Sequence, residues 1–215
     1  MICGIDEAGR GPVMGPMVVA GVKVNDDGKL IELGVKDSKR LAPSTREELE
    51  EMIKDCAEFS IRVVPAEDID SLRDSMTLNE LEANIFADVI DELCVDSDTC
   101  YLDSASTDEK KFAEMVKRKT SVQPSILSEH GADDEYPVVS AASILAKVER
   151  DRKVEAISEK LESEIGSGYP SDTKTREFLI NWISKEESLP PYTRESWDTC
   201  KELMNRFLNQ SLDDF

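Results

Sequence analysis

The first two dozen residues constrain the fold more than any other stretch of the chain. An apolar run, Ile2 to Ile5, leads into two adjacent carboxylates, Asp6 and Glu7. A glycine-rich, arginine-bearing loop follows at once: Gly9-Arg10-Gly11, then Gly15-Pro16. A run this short and apolar reads as a buried strand, Ile2–Asp6, and the spacing puts Asp6 and Glu7 at its carboxyl end. A second strand, Met17–Val24, follows the loop. Two carboxylates side by side repel: at about 4 Å and an effective dielectric near 20 the cost is roughly 4 kcal/mol. A shared proton, or a hard cation between the oxygens, relieves that repulsion. The adjoining glycines let backbone N–H groups come close to a ligand. The pattern predicts a metal site beside a phosphate-reading loop.

Composition narrows the chemistry. The 215 residues, 40% of them hydrophobic, suit one large domain or a domain with a small appendage. No stretch approaches the ~18 apolar residues of a membrane span, and the N-terminus lacks the features of a signal peptide. The five cysteines are scattered, odd in number and without a C-x-x-C pair. That argues against a disulfide framework or a zinc site and for reduced thiols in a cytoplasmic protein. Cys3, in the first strand, reads as core filler. With one histidine, His130, any metal centre must be built from carboxylates, which favours Mg²⁺ or Mn²⁺ over Zn²⁺. The net charge of −20 opposes binding of a polyanion. The acid is uneven, however: twelve Asp/Glu and one base lie between residues 66 and 103, whereas Lys147, Arg150, Arg152 and Lys153 cluster together. Charges beyond a Debye length of about 8 Å are largely screened, so a remote acidic face weakens the nucleic-acid reading without deciding it.

Periodicity places further elements. Ser44-Thr45-Arg46-Glu47 and Thr77-Leu78-Asn79-Glu80 read as capping boxes, the first opening a helix to about Cys56. The second opens a helix carrying Leu81, Ile85, Phe86, Val89, Ile90 and Leu93 at helical spacing. Glu58–Val64, Thr99–Asp103 and Ser125–His130 read as strands. Ser106 to Glu109 caps a helix, and a long helix spans Val138 to about Leu161. Gly166 to Ser171 is the clearest linker, with helices near 174–185 and 195–209 beyond it. Strands alternating with helices define an α/β layer.

Acids recur where extended segments stop: Asp6/Glu7, Asp103 and the turn Asp133-Asp134. A single acid after a strand is ordinary solvated-loop composition. The glycine-flanked pair is not, and four carboxylates gathered at one sheet edge suit two divalent ions that clamp a phosphodiester displacement. The Gly9-Arg10-Gly11 loop lacks the Gly-Lys-Ser/Thr ending of a Walker loop. His130, three residues before Asp133, reads as a structural residue at a strand end.

GIDEAGRGPVMGPMVVAGV at the N-terminus, GVKDSKRL (34–41), YLDS (101–104), ADDEYPVVSAASILAKVERD (132–151), GSGYPSDTKT (166–175) and SW (196–197) together resemble ribonuclease HII, the archaeal type especially. The resemblance implies an α/β, ribonuclease H-like mixed central sheet flanked by helices. It implies a catalytic part over residues 1–165, a C-terminal helical segment over 166–209 that completes the substrate cleft, and a flexible tail at 210–215. It also implies Mg²⁺- or Mn²⁺-dependent cleavage of the RNA strand of RNA–DNA hybrids, and cutting 5′ of single ribonucleotides in duplex DNA. By motif match the metal and catalytic carboxylates are Asp6, Glu7, Asp103 and Asp133, with Asp6 bridging and Asp134 the competing neighbour of Asp133. Gly9, Arg10 and Gly11 match the family's substrate-reading loop, which addresses the 2′-hydroxyl that distinguishes RNA from DNA. Tyr169 matches the tyrosine that stacks on the sugar at the RNA–DNA junction. Lys39, Lys147 and Arg150 are expected phosphate contacts; for each the alternative is a solvated surface charge. The tail Asn209–Phe215 is similar to a sliding-clamp-binding peptide, with Leu212 and Phe215 as apolar plug. It departs from that pattern in having Asn209 where glutamine is expected and a single terminal aromatic. The alternative for it is a frayed acidic terminus. A monomer is expected. Two other readings compete: an ATP-handling protein with an actin- or sugar-kinase-like phosphate loop, and an acidic nucleic-acid mimic that binds basic proteins.

Overall fold

The computed structural model describes residues 1–36 and 42–213, with side chains as far as residue 209. Five strands, β1 (Ile2–Ala8), β2 (Met17–Val24), β3 (Glu58–Val64), β4 (Thr99–Asp103) and β5 (Ser125–Glu129), form one mixed sheet of order β3-β2-β1-β4-β5. β1 and β2 run antiparallel across the Gly/Pro loop, whereas β4 pairs parallel with both β1 and β5. β1 extends two residues beyond the expected stop at Asp6. Asp6 and Glu7 therefore both lie within the strand, where successive side chains point to opposite faces.

Helices occupy both faces. On one, Ala20, Val22, Tyr101 and Ile2 pack with Val138, Val139, Ala142 and Leu145 of α7 (Pro137–Lys160). Gly4 is required there, because a Cβ at this position would stand 2.4 Å from the backbone carbon of Val138. Against the other face lies α4 (Leu78–Leu93), close enough that a Cβ on Gly21 would meet Val89 at 2.4 Å. The α4 capping box forms as expected: Thr77 Oγ1 accepts from Glu80 N, and Thr77 N donates to Glu80.

Other boundaries depart from the sequence reading. The expected box at Ser44 does not cap α2 (Pro43–Cys56); its N-cap is Ala42, without a side-chain cap bond. Pro43 supplies the first helical residue with φ already set, so the N-cap falls two positions earlier than expected. α5 (Glu109–Lys117) is capped by Asp108, whose carboxylate accepts from Lys111 N. Helices that escaped the reading include α1 (Gly28–Glu32) and α3 (Ala66–Arg73), the latter opening after Pro65 with Glu67 and Asp68 in its first turn. Short α6 (Ala132–Glu135) carries the acidic turn, and α8 (Thr173–Glu186) and α9 (Asp198–Asp213) follow. α9 starts three residues later than expected and continues past residue 209.

The chain divides into two compact units. The first comprises Met1–Ala8, Val18–Val63 and Met76–Glu149, and contains most of the sheet. The second gathers Gly9–Met17, Val64–Ser75 and Arg150–Phe215. Its core is formed by Val13, Met14, Val154, Ile157, Phe178 and Leu179 with Cys200 and Leu203.

Candidate active site

In the first unit, parallel pairing decides where the acids go. Ile5 pairs with Leu102 across β1 and β4, so the next residues on each strand, Asp6 and Asp103, emerge at the same sheet edge. Asp103 pairs in turn with Glu129 of β5, from which the chain turns at once into α6. That turn is held by Asp103 itself, whose Oδ1 accepts from Ala132 N at 2.9 Å, and by His130, whose Nδ1 lies 2.8 Å from Ser104 O. Gly131 takes a left-handed conformation, φ 67°, at the N-cap of α6. Asp133 is then buried, while Asp134 is exposed. His130 has the structural place that its position suggests.

Asp6 is 3% exposed, and burial pushes its carboxyl up to about 7. The negative charges of Asp103 and then Asp133 push in the same direction, against a hydrogen bond from Ser143 and the charge of Lys147. Lys147 Nζ also donates to Ser143 Oγ at 2.6 Å, one helical turn away on α7. Sequence reasoning missed Ser143; the available signal was its i,i+4 spacing to Lys147 on a helix whose apolar face is buried. The repulsion expected between Asp6 and Glu7 is not what loads Asp6. Adjacent strand residues diverge, Glu7 N donates to Asp6 Oδ1 at 2.7 Å, and the acids that act on Asp6 come from β4 and α6.

The donor set fits a hard cation: only carboxylate oxygens converge at this edge, with a raised proton affinity that a divalent ion would relieve. Among the described residues no three of these oxygens lie within 4.8 Å of one another.

In the second unit the Gly-Arg-Gly loop has its own scaffold. Gly9 holds φ 81°, and a Cβ there would strike Pro16 O at 2.6 Å. Arg194, fully buried, donates its Nε to Gly15 O at 3.0 Å and its two terminal nitrogens to Arg10 O at 2.9 Å and Gly9 O at 2.6 Å. Burial draws this guanidinium down to about 10, which leaves it charged at neutral pH. The inward carbonyls of the loop are thus occupied by protein. Gly168 O accepts from Val13 N and Met14 N, tying the loop to Gly166–Ser171. Gly168 needs its positive φ of 82°, since a Cβ would meet Met14 O at 2.7 Å.

Tyr169 and Arg150 stand beside this loop. The Arg150 guanidinium lies 5.3 Å from the Tyr169 ring centre and donates to Ser167 O. A Cβ on Gly11 would touch Tyr169 at 3.6 Å, and one on Gly9 would reach Arg150 Cγ at 3.0 Å. Gly9, Gly11, Arg150 and Tyr169 therefore share one neighbourhood. Trp197 is flanked by Arg73 and Arg194 at 4.7 and 4.9 Å from its ring, and Asp70 accepts from the backbone of Glu195 and Ser196. Arg194, Arg73 and Asp70 carried no recognisable sequence signal. Lys39, with Asp37 and Ser38, lies outside the described residues, as do Asp214 and Phe215.

A mixed α/β sheet with acids gathered at the edge of its parallel strands suits metal-dependent hydrolysis, and together with the relatives that follow it identifies a metal-dependent endoribonuclease, a hydrolase of ribonuclease H-like fold. The chain belongs to the ribonuclease HII family, whose model, described as Ribonuclease HII, matches residues 3–200. A ribonuclease HII of Pyrococcus abyssi is 42% identical over 214 residues, covering 98% of this chain and 94% of that protein. The crystal structure of ribonuclease H2 from Pyrococcus horikoshii superposes with a TM-score of 0.88 at 38% identity, over 96% of this chain and 98% of that one. Archaeoglobus fulgidus ribonuclease HII, solved in complex with PCNA, gives a TM-score of 0.88 at 40% identity and covers both chains in full. Among the described residues no helix is long and apolar enough to cross a membrane.

Proposed function

We propose that the chain hydrolyses the RNA strand of RNA–DNA hybrids and cuts 5′ of single ribonucleotides in duplex DNA, leaving 3′-hydroxyl and 5′-phosphate ends. The observation that carries the chemistry is the buried Asp6 carboxyl, loaded by Asp103 and Asp133 and steadied by Ser143. Asp6, Glu7, Asp103 and Asp133 are the residues we assign to hold two Mg²⁺ or Mn²⁺ ions. The burial of Asp133 favours it over Asp134. When bound, the ions supply Lewis-acid stabilisation of the attacking and leaving oxygens.

The remaining residues orient and select. Lys147 holds Ser143, and through it Asp6, while offering positive charge to a phosphate. Gly9, Arg10 and Gly11 present N–H groups toward a 2′-hydroxyl, because Arg194 occupies the Gly9 and Arg10 carbonyls. Tyr169 offers a flat face to the sugar, with Arg150 beside it for phosphate; Lys39 is assigned a further phosphate contact. The loop and its buttress favour this reading over an acidic mimic, which does not use them, and the match to ribonuclease HII over residues 3–200 favours it over an ATP-handling protein.

We also assign the chain to the cytoplasm and expect it to act as a monomer. A sliding clamp is the proposed partner of Asn209–Phe215, by analogy with the Archaeoglobus relative solved with PCNA. The test is a duplex bearing one ribonucleotide, incubated with Mg²⁺ and with Mn²⁺. Cleavage should fall 5′ of the ribonucleotide and be abolished in Asp103→Asn. Wild-type rates from Asp103→Asn at saturating Mg²⁺ would sink the four-carboxylate mechanism.

A further inference from the structure

Three cysteines far apart in sequence meet on the face of the sheet opposite Asp6 and Asp103. Cys3 on β1 and Cys100 on β4 are register partners, and Cys94 caps the C-terminus of α4 above them. All three are buried, their sulfurs lie within 4.8 Å of one another, and Cys94 and Cys100 approach to 3.3 Å. No C-x-x-C spacing announces the group; only the parallel pairing of β1 with β4 and the length of α4 assemble it. Among the described residues, this is the one set of three ligand atoms that converges so closely.

We propose that Cys3, Cys94 and Cys100 form a binding site for a soft d¹⁰ cation in three-sulfur coordination, chemically suited to cuprous copper. A trigonal ion with metal–sulfur bonds of about 2.3 Å requires sulfurs about 4.0 Å apart, within the range found here. Thiolate sulfur selects Cu(I) over harder cations. A tetrahedral zinc would need a fourth ligand, and Asp98, an acid between Cys94 and Cys100 in the chain, is held by Lys23 Nζ at 2.9 Å and by Val95 N at 2.9 Å. Lys23 is itself buried and bonded to Leu93 O, so its positive charge stays beside Cys94 and offsets thiolate charge. Binding is ligand exchange without change of oxidation state: Cu⁺ enters, sulfur–copper bonds form, and each thiol that ligates as thiolate releases its proton to water. Cys94 sits at the helix end beside exposed Val95, which gives the ion its way in.

Cys3 and Cys100 each precede the acid of their strand, Asp6 and Asp103, by three residues, about 10 Å along the sheet. The soft site is therefore separate from the hard one and does not rest on the nuclease reading. The test titrates the reduced, intact protein anaerobically with Cu(I) against a chromogenic Cu(I) chelator, without substrate or Mg²⁺. The expected result is one equivalent retained by wild type and by Cys56→Ser, and none by Cys94→Ser or Cys100→Ser, whose fold is checked by circular dichroism. X-ray absorption of the wild-type complex should show three sulfur neighbours, a readout that needs no variant. Loss of the ion to the chelator, retention by Cys94→Ser, or two-sulfur coordination would each overturn the proposal.

Discussion

Replacing Asp6 by asparagine should stabilise the metal-free protein, and by an amount that depends on pH in one direction only. Its carboxyl rises from 3.8 to about 7 on folding, chiefly through burial and secondarily through Asp103. Below pH 3.8 the group is protonated in both states and contributes nothing to the pH dependence. Between 3.8 and 7 the folded state holds a proton that the unfolded state has lost, so stability falls as pH rises. Above 7 the folded protein carries the buried charge, and the accumulated loss is on the order of 4 kcal/mol at 1.36 kcal/mol per unit. Asp6→Asn has no such charge. Urea unfolding in EDTA should show the variant close to wild type at pH 4 and more stable by roughly 3–4 kcal/mol at pH 8.

Subtracting one protein from the other removes the titration that the remaining acids share. Added Mg²⁺ should reverse the order at pH 8, because an ion held by Asp6 stabilises wild type by mass action and has lost that ligand in the variant. A difference between the two proteins that stayed flat from pH 4 to 8 would refute the reasoning. It would mean that Asp6 is ionised in the folded state without penalty.

Arg194→Lys keeps the charge but gives up the fork, leaving two of the three carbonyls of Gly9, Arg10 and Gly15 without their donor. It should cost about 2–4 kcal/mol in denaturant and lower cleavage of a ribonucleotide-bearing duplex more than Mg²⁺ affinity. Gly4→Ala forces a Cβ to 2.4 Å from the Val138 backbone and should destabilise by about 3 kcal/mol or more, read by urea midpoint. Tyr169→Phe should cleave nearly as wild type and Tyr169→Ala poorly, with thermal stability little changed in either; equal loss in both would point to the hydroxyl instead of the ring.

The strands and the large helices were legible because their signals are local. β3 spans Glu58–Val64, as its apolar pattern indicates, and α4 opens at Thr77 with its box formed. Asp6 and Asp103 could be singled out because each stands where an apolar segment stops; Asp133 was separated from Asp134 only by the resemblance to the family motif. What they do to one another was not legible. The sequence puts Glu7 next to Asp6, yet Asp6 is loaded first by burial and then by Asp103 and Asp133, acids about a hundred positions away. Arg194 was invisible for a related reason: a lone arginine in a loop has no periodicity. Its function exists only once Gly9, Arg10 and Gly15 turn their carbonyls toward it. The thiol cluster is the same case on the opposite face, since spacing rules find metal sites built within one loop and miss those built across a sheet.

Strand direction is what turns these scattered acids into one site. Had β4 run antiparallel to β1, Asp103 would emerge at the far edge of the sheet from Asp6, a strand length of about 17–20 Å away. Parallel pairing requires a long crossover, and the chain between Val24 and Thr99 supplies it, with α4 returning across the sheet face. The same step repeated from β4 to β5, through α5, carries the chain to Glu129 opposite Asp103 and hence to Asp133. Each acid thus stands at the carboxyl end of a parallel strand or in the turn that follows one, the edge where α/β sheets bind ligands. The glycine loop begins at Gly9, directly after the last residue of β1, Ala8. Under the proposed reading, the residues assigned to the metals and those assigned to the sugar are therefore neighbours along the chain, with Ala8 alone between Glu7 and Gly9.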